Sequence, residues 1–137
     1  MTKSLRLGIA GLGTVGAGVI KIVQQNVALL SARSGLSIEV TAVCAQSRNK
    51  NRGVDLSNYA WEDDPVTLAK RDDVDVYVEL MGGEDGPAKA SVEAAIKAGK
   101  HVVTANKALL AHHGHALATA AEAANVSLRF EAAVAGG

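Results

Sequence analysis

The sequence predicts an α/β domain, a doubly wound and mostly parallel sheet, and three observations carry that prediction. Strand-like apolar runs alternate with helical patterns along the whole chain, as in folds assembled from strand–helix–strand units. The hydrophobic share is 48% while the aromatic share is 3%, so the core must be built from Ala, Val, Leu and Ile. That composition suits buried parallel strands under Ala-rich helices. Lastly, the apolar run at residues 5–10 leads straight into Gly11-Leu12-Gly13-Thr14-Val15-Gly16.

Each glycine of this Gly-x-Gly-x-x-Gly turn has its own task. Gly11 permits the tight turn off the strand, and Gly13 lets backbone approach a pyrophosphate with no Cβ in the way. Gly16 lets the next helix pack close to the strand. The diphosphate then rests on unpaired amides at the helix N-terminus, where the dipole is positive. An ordinary strand–turn–helix corner can also hold glycines. Here, however, a long helical pattern follows over residues 14–30, with Val15, Val19, Ile22, Val23 and Val27 near helical spacing. The expectation is a Rossmann dinucleotide-binding fold.

The remaining elements follow in order. Residues 31–37 form a polar turn containing Gly35, and a second strand covers 38–45 with Val40, Ala42 and Val43. Residues 46–58 read as a polar, basic loop around Gly53. The stretch Trp61-Glu62-Asp63-Asp64-Pro65 reads as a connection to a short helix at 66–70, with Pro65 at its start. A third strand at 75–80 ends on Met81-Gly82-Gly83. Pro87 opens a helix at 88–98 that Gly99 stops. A short strand at 101–104, a helix at 105–124 interrupted near Gly114, and a last strand at 126–131 complete the set. With no internal repeat and no interior linker, residues 1–137 read as one dinucleotide-binding domain. The final Gly136-Gly137 is a turn signal and suggests a cut at a domain boundary.

Charge and cysteine usage narrow the function classes. Fourteen basic and fourteen acidic residues give zero net charge, so nothing favours nucleic acid or an anionic membrane as a partner. No apolar run reaches the length of a membrane span, and the N-terminus enters a strand rather than a signal peptide, which makes the cytoplasm the default location. The single cysteine, Cys44, lies in an apolar strand and reads as a small buried side chain rather than a reactive thiol.

In open α/β sheets the ligand lies outside the carboxyl ends of the strands, where the strand order reverses. Those ends are residues 11–16, 46–48, 81–83 (with Met81 and Gly82), 104–107 and 131 onward. The second strand ends in Ala45-Gln46-Ser47-Arg48-Asn49-Lys50, with no carboxylate to accept from a ribose hydroxyl. Ser47 can donate to a phosphate while Arg48 and Lys50 supply charge, which favours NADP over NAD. A solvated basic loop would hold the same residues. Lys107 follows a strand on this edge and can donate to a substrate carbonyl or shuttle a proton. The plainer alternative is an exposed lysine in a first helical turn, although a cation there opposes the helix dipole. Asn106 either holds a carboxamide or caps the helix. His112, His113 and His115 invite a metal reading, but Gly114 interrupts them and no carboxylate or cysteine completes a set, so a solvated helix break is expected. Asp63, Asp64, Asp72 and Asp73 read as surface charges, whereas Glu79 and Glu131 need partners if buried.

Three segments together resemble the cofactor-binding domain of the homoserine dehydrogenase family. They are the glycine turn, Glu79-Leu80-Met81-Gly82-Gly83, and Ala98-Gly99-Lys100-His101-Val102-Val103-Thr104-Ala105-Asn106-Lys107. The likeness continues through Ala108-Leu109-Leu110-Ala111 to Glu131-Ala132-Ala133-Val134-Ala135-Gly136-Gly137, and so covers essentially the whole chain. The resemblance implies reversible interconversion of L-homoserine and L-aspartate 4-semialdehyde with NAD(P)(H), on the route to threonine, methionine and isoleucine. It implies that Leu12, Thr14 and Val15 contact the cofactor and that Thr104 lies near its nicotinamide half. Lys107 would be a cofactor contact and a participant in proton transfer. A monovalent cation such as sodium would be held by Glu131 and the carbonyls of Val134 and Gly136. The family often carries a basic residue where this chain has Gln46. Its substrate-binding region and dimer contacts lie beyond residue 137, so the full-length protein is expected to be a homo-oligomer. The chain alone is expected to bind cofactor without turnover, since half the pocket is missing. The competing readings are another two-domain NAD(P)-dependent reductase and a stand-alone nucleotide-sensing module. Among the reductases, an aspartate dehydrogenase or a sugar oxidoreductase comes nearest. Sugar oxidoreductases usually show Glu-Lys-Pro in place of Asn106-Lys107-Ala108.

Overall fold

The computed structural model describes residues 3–12, 16, 18–21, 36–45, 56–57, 59–81 and 86–130. Among these, six strands form one sheet: β1 (Lys3–Ala10), β2 (Leu36–Cys44), β3 (Ala60–Glu62), β4 (Val76–Glu79), β5 (His101–Thr104) and β6 (Leu128–Phe130). Three helices have described bounds, α1 (Pro65–Ala69), α2 (Pro87–Lys97) and α3 (Lys107–Ala123). Residues 16 and 18–21 are helical as well, at the start of the long pattern expected after the glycine turn.

The sheet order is β3-β2-β1-β4-β5-β6 and every pairing is parallel. The chain moves outward from β1 to β3, then crosses back to lay β4 on the other side of β1. The order therefore reverses between β1 and β4, and that junction is where such a sheet opens a crevice. Right-handed crossovers put helices on opposite faces for the two directions of travel. Accordingly α1, α2 and α3 share one face, where Leu68, Ala69, Val92, Ala95, Ile96, Leu109 and Leu117 pack on Ala10, Ala42, Tyr77 and Val102. The other face gathers Ile9, Val40, Val43, Val76 and Val78 beneath Leu12 and Ile20. All four residues of β4 are buried, as expected of a central parallel strand.

Two elements differ from the sequence-based expectation. The segment around Trp61-Glu62, expected as a connection, contains β3, which pairs with β2 through Ala42↔Ala60, Val43↔Trp61 and Cys44↔Glu62. Three residues are too few to show a period of two, and the strand forms because the β2 edge offers unpaired backbone groups. The break expected near Gly114 is absent, and α3 runs unbroken from Lys107 to Ala123. A helix interior tolerates glycine at a cost of about 1 kcal/mol relative to Ala, and burial of Leu109, Leu117 and Ala121 on either side of Gly114 offsets it. The strand expected at 126–131 is described as Leu128–Phe130.

Charged clasps tie the segment leading into β4 to its neighbours. Arg6 donates through Nε and Nη2 to both carboxylate oxygens of Asp75, each at 3.0 Å. Arg71 likewise grips Asp73 at 2.7 and 2.9 Å and reaches Glu62 at 2.6 Å. Asp72 and Asp73 were expected to be simple surface charges, but Asp73 is a half-buried clasp. The bidentate guanidinium of Arg71 holds the Asp73 carboxyl below the usual carboxylate range, and that of Arg6 does the same for Asp75. A carboxylate with a depressed folded pKa contributes stability above its unfolded value, and that stability is lost as pH falls through the folded value. The urea midpoint is therefore expected to be level near neutrality and to decline below about pH 4. Asp75→Asn should lower the neutral plateau and flatten the acid decline. An unchanged acid slope in that variant would rule out this pair as its source.

Candidate functional site

The carboxyl ends of β1, β2, β4 and β5 meet around the switch point. Gly11 follows β1 with a φ of 100°, a left-handed conformation that only glycine adopts without strain. Its amide donates to the Cys44 carbonyl at 2.9 Å, and Leu80 donates to the Ala10 carbonyl at 2.8 Å, so the turn is tied to strands on both sides. A Cβ on Gly11 would lie 2.7 Å from the Leu80 carbonyl carbon and oxygen and 2.9 Å from the Met81 nitrogen. A Cβ on Gly16 would collide with the carbonyl oxygen of Gly11. Two of the three glycine tasks inferred from spacing, turn and close helix packing, are thus visible as contacts. A left-handed Gly11 closely approached by the helical Gly16 is the arrangement expected of a turn that carries a dinucleotide diphosphate.

Leu12 is 4% exposed and its side chain belongs to the core, so it can meet a ligand only through its backbone. Met81 is half-buried, and its amide donates to Glu79 Oε2 at 2.7 Å. Thr104 is fully buried at the end of β5; its hydroxyl donates to Glu79 Oε1 at 2.8 Å and accepts from the Asn106 amide at 3.0 Å. Asn106 is a helix cap, because its Oδ1 accepts from the Leu109 amide at 3.0 Å. Lys107 is the first residue of α3 and is exposed, with no acidic residue in the first turn to offset the dipole. Gly13, Thr14, Val15, Ser47, Arg48, Gly82, Glu131, Val134 and Gly136 lie outside the described residues.

Other candidates resolve simply. Among the described residues no group of three His, Cys, Asp or Glu side chains is arranged to hold a metal. The rings of His112 and His113 sit 6.3 Å apart on α3, a helix with no break there. Cys44 is 3% exposed, and burial, with the negative charges of Asp64, Asp63 and Glu62 adding to it, pushes its thiol up to about 11. That thiol stays protonated and inert near neutral pH. Asp64, expected as a surface charge, caps α1 by accepting from the Thr67 amide at 3.2 Å. The pairing of Glu79 with Thr104 was not legible from composition. Their cross-strand register, Glu79↔Thr104, is the signal that would have found it, given aligned strand ends.

Residues 11–131 match the family model for the NAD-binding domain of homoserine dehydrogenase. The chain belongs to the homoserine dehydrogenase family. It is 47% identical over 135 residues to the homoserine dehydrogenase of Neisseria gonorrhoeae, covering 98% of this chain and 31% of that protein. The Corynebacterium glutamicum homoserine dehydrogenase is 45% identical over 135 residues, covering 98% and 30%. A crystal structure of S. aureus homoserine dehydrogenase superposes with a TM-score of 0.87 at 36% identity, covering 96% of this chain and 33% of that one. The chain therefore spans about a third of the length of the relatives it matches, the part that forms their NAD(P)-binding domain. No described helix is long and apolar enough to cross a membrane.

Proposed function

We propose that the whole protein is a cytoplasmic, homo-oligomeric homoserine dehydrogenase that interconverts L-aspartate 4-semialdehyde and L-homoserine and prefers NADP(H). In this reading the present chain is its cofactor-binding domain. The observation that carries the proposal is the convergence, at one switch point in a family member's sheet, of the Gly11 turn, the Met81 turn and the Thr104–Lys107 segment. NADPH supplies the hydride when bound. The chain's own part is to seat the diphosphate against the turn at Gly11 and the helix after it, and to present Lys107 beside the reacting carbonyl. Lys107 donates a proton to the oxygen as the aldehyde becomes an alcohol, and takes it back in the reverse direction. Ser47 and Arg48 give the preference for a 2′-phosphate through charge-assisted hydrogen bonds. Glu131 and the carbonyls of Val134 and Gly136 would hold a monovalent cation, whose charge would balance the Glu131 carboxylate.

Calorimetric titration of the full-length protein tests the cofactor assignment. NADPH is expected to bind at least about tenfold tighter than NADH, the worth of one hydrogen bond to a charged group. Arg48→Ala should close most of that gap. Equal affinities would remove the NADP preference but leave the dehydrogenase reading standing. NADPH binding without turnover of aspartate semialdehyde would defeat the substrate assignment. Activity unchanged when sodium and potassium are replaced by tetramethylammonium would defeat the cation.

A further inference from the structure

Glu79 closes β4, whose other residues are Val76, Tyr77 and Val78, and its carboxylate is wholly buried. Burying a carboxylate is costly, and an apolar residue of similar size often serves stability as well. This carboxylate instead accepts from two donors on different connections, the Met81 amide at 2.7 Å after β4 and the Thr104 hydroxyl at 2.8 Å on β5. Thr104 passes the link to the Asn106 amide, and Asn106 caps α3 through the Leu109 amide. An unbroken series of four hydrogen bonds thus runs from the β4 exit to the helix turn that begins at Lys107. At its other end the β4 exit abuts the Gly11 turn so closely that no Cβ fits between them.

We propose that Glu79 is a positioning residue, whose carboxylate locks the β4 exit to the β5 exit and so holds Lys107 in register with the Gly11 turn. The proposal rests on the assignment of Lys107 to the active site. Each donor meets its own oxygen of the carboxylate, Met81 at Oε2 and Thr104 at Oε1. A glutamine offers one oxygen and an amide that donates, so at least one of the two links must reorganise. Tyr77 supplies a matched control. It lies two residues earlier on the same strand, is equally buried, and donates at 2.7 Å to Ser91 on α2, outside the relay.

The test compares Glu79→Gln and Tyr77→Phe in the full-length enzyme by thermal unfolding and steady-state kinetics. Glu79→Gln is expected to lower kcat at least about tenfold, since small misplacements of reacting groups are costly. KM for the aldehyde should stay within about threefold, the pattern of an interaction that matters in the transition state. Tyr77→Phe should lose comparable thermal stability and keep kcat within about twofold. A destabilised Glu79→Gln enzyme with kcat within about twofold of wild type would overturn the proposal. Should Glu79→Gln not fold, Thr104→Val takes its place, removing the central hydroxyl at constant volume. The same kcat loss, recovered in part by Thr104→Ser, supports the relay, and an unchanged kcat overturns it. An inactive wild-type protein defeats the dehydrogenase reading together with this one, whereas an active wild type with an unaffected Glu79→Gln defeats the positioning role alone.

Discussion

Gly11→Ala is expected to destabilise the protein by about 2–4 kcal/mol and to weaken NADPH binding at least about hundredfold. The backbone φ of 100° strains any side chain, and the new Cβ would press on the carbonyl of Leu80 and the amide of Met81, neither of which is a flexible tip. Relief requires the β1 and β4 exits to separate, which opens the seat for the diphosphate. Gly18→Ala is the internal contrast. Gly18 is helical and a Cβ there meets nothing within 4 Å. That substitution should stabilise by about 0.5–1 kcal/mol through reduced backbone entropy of the unfolded chain. Urea unfolding and NADPH titration on both variants check the pair. Equal effects at positions 11 and 18 would show that the turn is not under the constraint described.

Lys107→Ala is expected to lower kcat by about 10²–10⁴-fold, the usual worth of a positioned proton-transfer group. The same change should leave the protein as stable or more stable by about 0.3–1 kcal/mol. The two signs differ for a structural reason. Lys107 is exposed at the positive end of α3, with no first-turn carboxylate beside it, so its charge works against the helix it begins. In the proposed reading its role lies in proton transfer instead. Steady-state kinetics with thermal unfolding separates the cases, and a Lys107→Ala enzyme with near-normal kcat would return the residue to the status of a surface lysine.

Much of the fold was legible because its signals are local. Gly11 and Gly16 announce their tasks by spacing from an apolar strand, and the structure shows a left-handed turn and a close helix contact at those positions. Pro87 and Gly99 bracket α2, with Gly99 at a φ of 78°. The misses were decided by packing and pairing that no residue pattern displays. β3 exists because β2 lies beside it, and the helix continues through Gly114 because Leu109 and Leu117 are buried on both sides. Asp73 is drawn into a clasp by Arg71, which also reaches Glu62 nine residues earlier.

The candidate site divides along the same line. Which residue types stand at the ends of the strands, and the Gly-x-Gly-x-x-Gly spacing of residues 11–16, are properties of the chain order. The sequence by itself determined those, since helix periodicity, turn glycines and strand ends are read within a few residues. That Thr104 meets Glu79 on the neighbouring strand and that the Leu12 side chain turns into the core were decided only by the tertiary structure. A buried polar group takes whichever partner the packed strands bring within hydrogen-bond distance. The register of β4 against β5, which no local pattern encodes, sets that partner.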